Sequence, residues 1–185
     1  MSDQMRNPIR AAVVTLSDKA SVGLRADASG PLLVALLREL GAEVAEPLVI
    51  PDDQPRIEQT LAGLADHGGV DLVLTTGGTG LAPRDRTPEA TLAVADRSAP
   101  GFAEAMRSAS LQITGRAMLS RAVSAVRGRT LIINMPGSPK ACREHFAVIA
   151  PVLGHAVETL RGETFECAST EEPRTSGDSQ EAAEQ

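Results

Sequence analysis

The chain has 185 residues, 42% of them hydrophobic and 23% charged, a composition typical of one globular domain with its own core and not of a disordered chain. Its net charge of −6 comes entirely from residues 163–185, which carry seven acidic residues and one basic residue, so residues 1–162 are formally neutral. A neutral body with three Phe and no Tyr or Trp offers neither a basic surface for phosphates nor aromatic rings for bases, so we expect no nucleic-acid partner.

Strand-like and helix-like patterns alternate from the start of the chain. Residues 10–16 are a short β-branched run and predict a first strand. Leucines at helical spacing then predict a helix that is capped by Ser29 and ends before Gly41. Residues 43–50 predict a second strand, and Pro47 indicates an edge position because proline has no N–H to donate to a neighbouring strand.

The middle of the chain continues the alternation. Asp53 is the predicted cap of a helix over residues 54–67. Residues 70–75 are apolar almost without alternation, which is typical of a central parallel strand covered on both faces. After a glycine-rich loop, Thr87 as the cap and Pro88 at the first helical position predict the start of another helix.

The last third of the folded region predicts two helices and a hairpin. A helix is expected over residues 100–110, and strands over 122–126 and 130–135 are separated by an Arg-Gly-Arg turn. A Ser-Pro pair opens a helix over residues 138–161, which we expect to break near Pro151. Strands that alternate with helices in this way predict an α/β sandwich with a mostly parallel sheet.

The composition also predicts the domain limits and the compartment. Residues 1–162 form the expected domain, and residues 163–185, rich in Glu, Ser, Thr and Gln and without periodicity, form an expected acidic disordered tail. No stretch approaches the roughly 20 apolar residues of a membrane span, and the N-terminus has no apolar signal region. The two cysteines form no metal-binding pair, so we expect a cytoplasmic protein with free thiols and no membrane partner.

Ligands of such folds bind beyond the carboxyl ends of the parallel strands. This rule places four loops on one rim: residues 17–28, 51–53, 77–87 and 136–138. The first loop is crowded with polar side chains, of which at least one is expected to cap a helix: Ser17, Asp18 and Asp27, with Ser29 at its end.

The glycine loop carries the strongest signal. In the segment TTGGTGLAPRDRTPEAT, residues 75–91, glycines at 77, 78 and 80 remove side chains from the turn that follows a buried strand. Backbone N–H groups can then approach an anion closely, although a tight turn that needs positive φ angles would use the same glycines. The segment is not a phosphate-binding Walker loop, because the Lys-Ser/Thr ending is absent.

Three polar side chains on the same rim are candidate ligand contacts, and two of them also have a structural interpretation. Asp85 lies between Arg84 and Arg86, where a carboxylate forms either a solvated salt bridge or a Mg²⁺ ligand beside phosphate oxygens. Asp52 has no evident capping role next to Asp53, which leaves it available to a ligand. The Ser138 hydroxyl either caps its own helix or contacts a phosphate at the helix N-terminus.

These four stretches, in this order over residues 10–161, resemble the molybdopterin adenylyltransferase family, which includes bacterial Mog and MoaB proteins and the G domain of gephyrin. The TTGGTG…PRD.TPEAT block is close to a family signature, and MLSRAVSAVRG and LIINMPGSPKA are similar to further family segments. The resemblance implies a three-layer α/β/α sandwich and a homotrimer. It also implies Mg²⁺- and ATP-dependent adenylylation of molybdopterin, with release of pyrophosphate and hand-off of the product to a molybdate-inserting protein.

The resemblance also implies site residues. Asp52 and Asp85 match two important aspartates of the family, which we assign to metal binding and positioning in catalysis. The expected nucleotide- and pterin-binding residues are Gly77, Gly78, Thr79, Gly80, Ser120, Pro136, Gly137 and Ser138. A pterin phosphate that attacks the α-phosphorus of ATP is already ionised, so the aspartates are needed for charge neutralisation and alignment rather than as general bases.

Two other functions stay open. A non-catalytic pterin-binding or scaffold member of the same family, of the MoaB type, would keep the motifs, and another nucleotide-handling enzyme could use the same domain. The presence of both Asp52 and Asp85 favours catalysis. The sequence contains no GxSxG segment of the kind that marks a serine hydrolase, and its three histidines lack metal-ligand spacing.

Overall fold

Seven strands form one mixed, mostly parallel sheet in the computed structural model, which describes residues 7–163. The strand order is β2-β1-β4-β7-β6-β5, and β3 also pairs with β1. All pairings among β1, β2, β3, β4 and β7 are parallel, whereas β6 runs antiparallel to β5 and β7. The strands are β1 Arg10–Leu16, β2 Glu43–Val44, β3 Leu48–Ile50, β4 Leu72–Thr76, β5 Arg97–Ser98, β6 Ser124–Arg127 and β7 Thr130–Met135.

Helices cover both faces of this sheet. On one face, α2, α5 and α6 pack in a core cluster that includes Leu37, Met106 and Phe146, and on the other α3 and α4 pack around Ile57, Leu61 and Ala90. The predicted three-layer sandwich is therefore confirmed. The helices are α1 Asp18–Ser21, α2 Ser29–Glu39, α3 Gln54–Asp66, α4 Thr87–Val94, α5 Gly101–Leu111 and α6 Pro139–Arg161, with a 3-10 helix at Gly115–Leu119.

The central strand and the hairpin are confirmed. Every residue of β4 is buried, and β4 lies between β1 and β7, as its continuous apolar pattern predicts. Strands β6 and β7 form the hairpin. Because Arg127 pairs with Thr130, it belongs to β6, and the turn is one residue shorter than predicted. Gly128 takes a positive φ of 56° in this turn.

Pro47 divides the predicted second strand in two. Strand β2 pairs with the start of β1 and β3 with its end, so the segment lies at the sheet edge as predicted but does not pair continuously. The missing N–H of Pro47 interrupts the ladder between the two pieces. Helix α1 and strand β5, of four and two residues, were not predicted because their patterns are too short to show periodicity.

Two predicted helix caps are wrong. Ser29 is the first residue of α2, and the Asp27 carboxylate accepts hydrogen bonds from the Ser29 and Gly30 N–H groups at 3.1 and 2.9 Å. Thr87 lies inside α4, and its hydroxyl donates to the Gly77 carbonyl at 2.9 Å instead of capping the helix. The Asp53 cap is confirmed, since its carboxylate accepts from Arg56 N–H at 3.0 Å.

The predicted break near Pro151 is also wrong, because α6 runs without interruption from Pro139 to Arg161. One face of the helix, which includes Phe146, Ile149, Leu153 and Val157, is buried against the sheet, whereas Pro151 is exposed. Burial of this continuous stripe outweighs the hydrogen bond that proline removes. Within residues 7–163, no helix combines the length and the apolar character needed to cross a membrane. Apart from Glu163, the predicted tail lies outside the described residues.

A buried ion pair closes the edge of the sheet where the parallel strands begin. The Arg161 guanidinium donates two hydrogen bonds to Asp71, at 3.1 and 2.7 Å, and their side chains are only 9% and 6% exposed. Burial raises the pKa of Asp71, but hydrogen bonds from Arg161 and Arg10 outweigh this effect and hold it below the ordinary value. The pair joins the end of α6 to the start of β4.

We expect Asp71→Asn to lower the free energy of unfolding by about 3 kcal/mol at neutral pH, because it removes the buried charge that pairs with Arg161. The guanidinium is then left with Glu163, 4.0 Å away, and two backbone carbonyls. The matched change Asp66→Asn breaks a more exposed pair with Arg127 and should cost much less, because solvent screens that pair. The excess cost should shrink as the pH falls through the lowered pKa of Asp71, because the carboxylate then becomes protonated in the parent. Denaturant titration of the parent and both variants measures this, and equal losses in the two variants would contradict it.

Candidate active site

The four predicted rim loops converge at the carboxyl ends of β1, β3, β4 and β7. They surround a cavity of about 290 Å³, which we call cavity A. Residues from all four loops line it: Arg25 and Asp27, Asp52, Gly77, Gly78 and Asp85, and Gly137. The rim predicted from strand polarity is therefore a single concave site.

The glycine loop bends sharply under this cavity. Gly77 and Gly78 have φ angles of +101° and +63°, a region that L side chains rarely adopt. A Cβ on Gly78 would collide with the Thr87 hydroxyl and would lie 3.4 Å from Asp52 Oδ1. Both readings of the glycines are thus compatible: the turn needs positive φ, and it also brings bare backbone into the cavity.

Backbone donors in this loop are available to a ligand. Within residues 7–163, the N–H groups of Gly78, Thr79 and Gly80 donate to no protein acceptor. The loop is held instead through its carbonyls, since Thr87 N–H donates to the Gly78 carbonyl at 3.1 Å and Arg121 N–H donates to the Thr79 carbonyl at 2.9 Å. Successive unpaired N–H groups in a tight turn form an anion-binding concavity.

Asp52 is fixed by a reciprocal pair of hydrogen bonds with Asp18. Asp52 Oδ2 accepts from Asp18 N–H at 2.9 Å, and Asp18 Oδ1 accepts from Asp52 N–H at 3.0 Å. Arg84 then holds Asp18 with two hydrogen bonds of 3.0 and 2.7 Å. Asp52 therefore has a local structural partner that the sequence did not reveal, and one of its oxygens, Oδ1, stays free of these contacts.

Asp85 lies opposite, on the loop that follows the glycines. Its Oδ2 accepts from Ala82 N–H at 2.9 Å, and a Cβ on Gly80 would lie 2.8 Å from the same oxygen. The neighbouring Arg84 pairs with Asp18 and not with Asp85. The prediction that Asp85 forms a salt bridge is therefore wrong for its neighbour Arg84. The Asp85 side chain lines cavity A instead.

The electrostatics of cavity A favour a cation. Burial raises the pKa of Asp52, and the nearby negative charges of Asp18 and Asp85 raise it further. Within residues 7–163 no group of three or more His, Cys, Asp or Glu residues forms a complete metal site. Two carboxylates beside free N–H donors suit Mg²⁺, which uses one or two protein carboxylates and completes its shell with water and phosphate oxygens.

A second cavity of about 200 Å³, cavity B, lies on the other side of the glycine loop. Thr79, Ser120, Pro136 and His145 are among its lining residues. The two cavities share a wall, because Pro136 lines cavity B while the next residue, Gly137, lines cavity A. Cys142 is buried below this wall and donates from Sγ to the Pro136 carbonyl at 2.9 Å. Burial raises the pKa of its thiol to about 11, which agrees with a packing role.

The predicted site residues thus separate into three groups. Cavity A holds Asp52, Gly77, Gly78, Asp85 and Gly137; cavity B holds Thr79, Ser120 and Pro136; Gly80 and Ser138 line neither. The Gly80 carbonyl accepts from Arg121 at 2.6 Å. Ser138 precedes α6 at the cap position, but its hydroxyl makes no capping hydrogen bond, so it remains available at the helix N-terminus.

Sequence reasoning missed Arg25, the only basic side chain among the described residues that line cavity A. Asp27, predicted only as one of the polar side chains of the rim loop, lines the cavity and also accepts a hydrogen bond from the Thr15 hydroxyl at 2.7 Å. Arg25 could have been singled out as the only basic residue in the second half of the rim loop 17–28. A larger cavity of about 620 Å³ lies at the opposite edge of the sheet, where Arg10, Asp71 and Arg161 satisfy one another, so we assign it no ligand.

The raised pKa of Asp52 predicts a pH-dependent cost of folding. Below the ordinary carboxyl pKa, the Asp52 carboxyl is protonated in both the folded and the unfolded chain, so its raised pKa costs no stability. As the pH rises, Asp52 ionises more readily in the unfolded chain than in the folded one, and the free energy of unfolding of the parent falls. Asp52→Asn lacks this titration and keeps an acceptor oxygen for Asp18 N–H. The variant should therefore gain stability relative to the parent between about pH 4 and pH 7. Denaturant titrations at both pH values measure this, and a difference that does not change with pH would contradict it.

Comparisons with known proteins agree with this geometry. The family described as the probable molybdopterin binding domain matches residues 12–155. A molybdopterin adenylyltransferase from Haemophilus influenzae is 51% identical over 138 residues, which cover 74% of this chain and 70% of that protein. Gephyrin from Dictyostelium discoideum is 41% identical over 155 residues, covering 78% of this chain and 21% of gephyrin.

The fold leads to the same relatives. The crystal structure of the molybdopterin biosynthesis enzyme MoaB from Thermus thermophilus is 49% identical and superposes with a TM-score of 0.79. The similarity covers 83% of this chain and 97% of that one. Together with the matched residues 12–155, these likenesses confirm the resemblance read from the glycine loop, and the chain belongs to the molybdopterin-binding domain family.

Proposed function

We propose that the protein is a molybdopterin adenylyltransferase of molybdenum cofactor biosynthesis, which uses ATP and Mg²⁺. The observation that carries the proposal is the pair of cavities on either side of one glycine loop, with two carboxylates in the first. Relatives named molybdopterin adenylyltransferase, 40–51% identical, support the reaction. A transferase of this kind must hold two anionic substrates in contact, and two adjacent cavities provide that arrangement.

Cavity A is suited to the triphosphate of ATP. The unpaired N–H groups of the glycine loop can donate to phosphate oxygens, and the N-terminus of α6 adds its positive end. Among the residues that the structure describes, Arg25 is the one basic side chain that lines this cavity, where it can contact the phosphates directly. Mg²⁺ held by Asp52 and Asp85 would neutralise the remaining charge. Both carboxylates are anchored through neighbouring backbone N–H groups, which keeps them in place without a substrate.

Cavity B is suited to the pterin. Its volume of about 200 Å³ lies below the roughly 300 Å³ at which pockets for drug-sized ligands begin, and a bicyclic ring is a ligand of that smaller class. The terminal phosphate of the pterin would cross the shared wall at Pro136 and Gly137 towards cavity A. A phosphate oxygen then bonds to the α-phosphorus of ATP, the bond to the β-phosphate oxygen breaks, and pyrophosphate leaves with its electron pair.

The proposal also covers the oligomeric state, the domain limits and the compartment. We infer a homotrimer whose active unit is residues 1–162, with residues 163–185 as an acidic tail outside the site. The reaction consumes ATP and therefore belongs in the cytoplasm, and the adenylylated pterin passes to a molybdate-inserting protein. A MoaB-type binder that does not catalyse is the alternative, and the presence of Asp52 and Asp85 in one cavity argues against it.

We expect Asp85→Asn to reduce adenylyl transfer by about a hundredfold or more, equivalent to about 3 kcal/mol in the barrier. Asn keeps an acceptor for Ala82 N–H but removes the charge that would hold Mg²⁺. Pterin binding should survive, because Asp85 does not line cavity B. The measurements are adenylylated pterin formed from molybdopterin, ATP and Mg²⁺, and pterin binding by titration. Asp52→Asn should behave similarly but lose less.

The matched control is Asp66→Asn, which removes an equal charge from a residue that lines neither cavity and should leave turnover unchanged. Both site variants should keep their stability within about 1 kcal/mol of the parent at neutral pH, since neither creates a core cavity. Normal turnover of Asp85→Asn at saturating Mg²⁺ would overturn the metal role. A parent that binds the pterin but forms no adenylylated product would instead establish the binding-only alternative.

The assembly has its own test. Light scattering after size-exclusion chromatography should give about three times the chain mass of 19.3 kDa, as expected for closed cyclic symmetry. A single monomeric species at micromolar concentration would contradict the trimer without affecting the assignment of the two cavities.

A further inference from the structure

Cavity B contains one carboxylate that the expected family residues do not include. Glu144 lies on α6, and within residues 7–163 it is the only acidic side chain that lines the cavity. Its side chain is 34% exposed, which leaves the carboxylate open to a ligand from the cavity. A single carboxylate in a small cavity is the kind of feature that fixes the orientation of a bound ring.

Glu144 is only weakly engaged by the protein. Its ion-pair partner, Lys140, lies 3.9 Å away and is itself 82% exposed, so this contact contributes little. Its neighbour His145 is buried, and burial lowers the pKa of the imidazole, so the ring is neutral at pH 7 and does not compensate the Glu144 charge. The His145 ring is turned to Ser110, whose Oγ lies 2.5 Å from Nε2.

One arginine that lines the cavity, Arg107, is already committed. It donates from Nε to the Ser120 carbonyl at 3.2 Å and from a terminal nitrogen to the Ala122 carbonyl at 2.9 Å. It holds the Ser120 segment in place and is not paired with Glu144. Arg116, the second arginine of the lining, is exposed, and within residues 7–163 the ion pair of Glu144 is with Lys140 and not with Arg116. The acceptors of the Glu144 carboxylate therefore remain available to donors of a ligand.

The ring that all pterins share has a matching edge. Its 2-amino group and N3–H point the same way and present two parallel donors, as a guanidinium does. A carboxylate accepts two such parallel hydrogen bonds, and charge-assisted pairs of this type are both stronger and more specific in geometry than neutral ones.

We propose that Glu144 is the specificity-determining residue for the pterin ring, accepting hydrogen bonds from its 2-amino group and N3–H in cavity B. This inference rests on the proposed function, because that function places the pterin in cavity B. It selects ligands with a 2-amino-4-oxo pyrimidine ring over those with a 2,4-dioxo ring. An oxygen at position 2 would face the carboxylate and repel it.

The test compares two fluorescent probes, pterin and lumazine, which differ by the 2-amino group of the first and the 2-oxo group of the second. Because the chain has no Trp or Tyr, ligand fluorescence can be titrated almost without protein background. The full-length parent should bind pterin at least about tenfold more tightly than lumazine. Glu144→Gln should weaken pterin binding about 10- to 100-fold and bring the ratio to one or below. The glutamine side chain has nearly the same shape as glutamate, but its amide N–H group would face the 2-amino group of pterin, which is also a donor. The same N–H group can donate a hydrogen bond to the 2-oxo group of lumazine.

Two matched variants control for charge and for the local ion pair. Glu104→Gln removes the same charge from an exposed position on α5 outside the cavity, and Lys140→Gln removes the partner of Glu144. Both should keep the parent preference for pterin. Equal affinity of the parent for pterin and lumazine, failure of the parent to bind pterin, or an unchanged ratio in Glu144→Gln would each overturn the proposal. Since these are binding measurements, failure of adenylyl transfer in the parent would count against the proposed function and not against this inference.

Discussion

The candidate site depends on one reciprocal contact between two aspartates. Asp18 and Asp52 each accept a hydrogen bond from the backbone N–H of the other, at 3.0 and 2.9 Å, and this clasp ties the loop after β1 to the loop after β3. Arg84 extends it to the glycine loop by holding the Asp18 carboxylate with two hydrogen bonds. Hydrogen bonds from Arg84 lower the pKa of Asp18, so the clasp keeps its charge at neutral pH. Beyond the ends of the paired strands β1, β3 and β4, three loops are thereby held as one rim.

The same clasp explains why the site stores unfavourable charge. It places Asp52 in a partly buried position near the charges of Asp18 and Asp85. Burial and these charges raise the pKa of Asp52 and outweigh the hydrogen bond from Asp18 N–H, which lowers it. Arg84 is 62% exposed and is committed to Asp18, so its charge lowers the pKa of Asp52 only in part. A surplus of negative charge beside unpaired N–H groups is unfavourable for an empty protein. It becomes favourable when a cation and an anion bind together, as Mg²⁺ and a triphosphate do.

Much of this arrangement could be read from the sequence, and the failures have local causes. The rim followed from strand polarity, because parallel strands flanked by helices end at one edge, and Asp52 and Asp85 lie there as expected. The clasp could not be predicted, because it joins residues 34 positions apart through backbone groups that carry no sequence signal. Ser29 was expected to cap α2, but Asp27, two residues earlier, reaches the same N–H groups. The separation of Thr79 from Gly78 into different cavities depends on the positive φ angles of Gly77 and Gly78, which place neighbouring residues on opposite sides of the loop.

The wall between the cavities connects the site to the core. The Pro136 carbonyl accepts two hydrogen bonds, from the Thr76 hydroxyl at 2.7 Å and from the Cys142 thiol at 2.9 Å, and both donors are fully buried. On the other side, a Cβ on Gly137 would lie 3.4 Å from the Gly77 Cα, so the two loops are in close contact. Strand β4, the loop after β7 and the first turns of α6 are thus joined at one point of the sheet. Because core packing tolerates little displacement, the distance between the two cavities is set by the most rigid part of the fold. For a transfer between two bound substrates, a fixed separation of this kind supplies the alignment that the reaction requires.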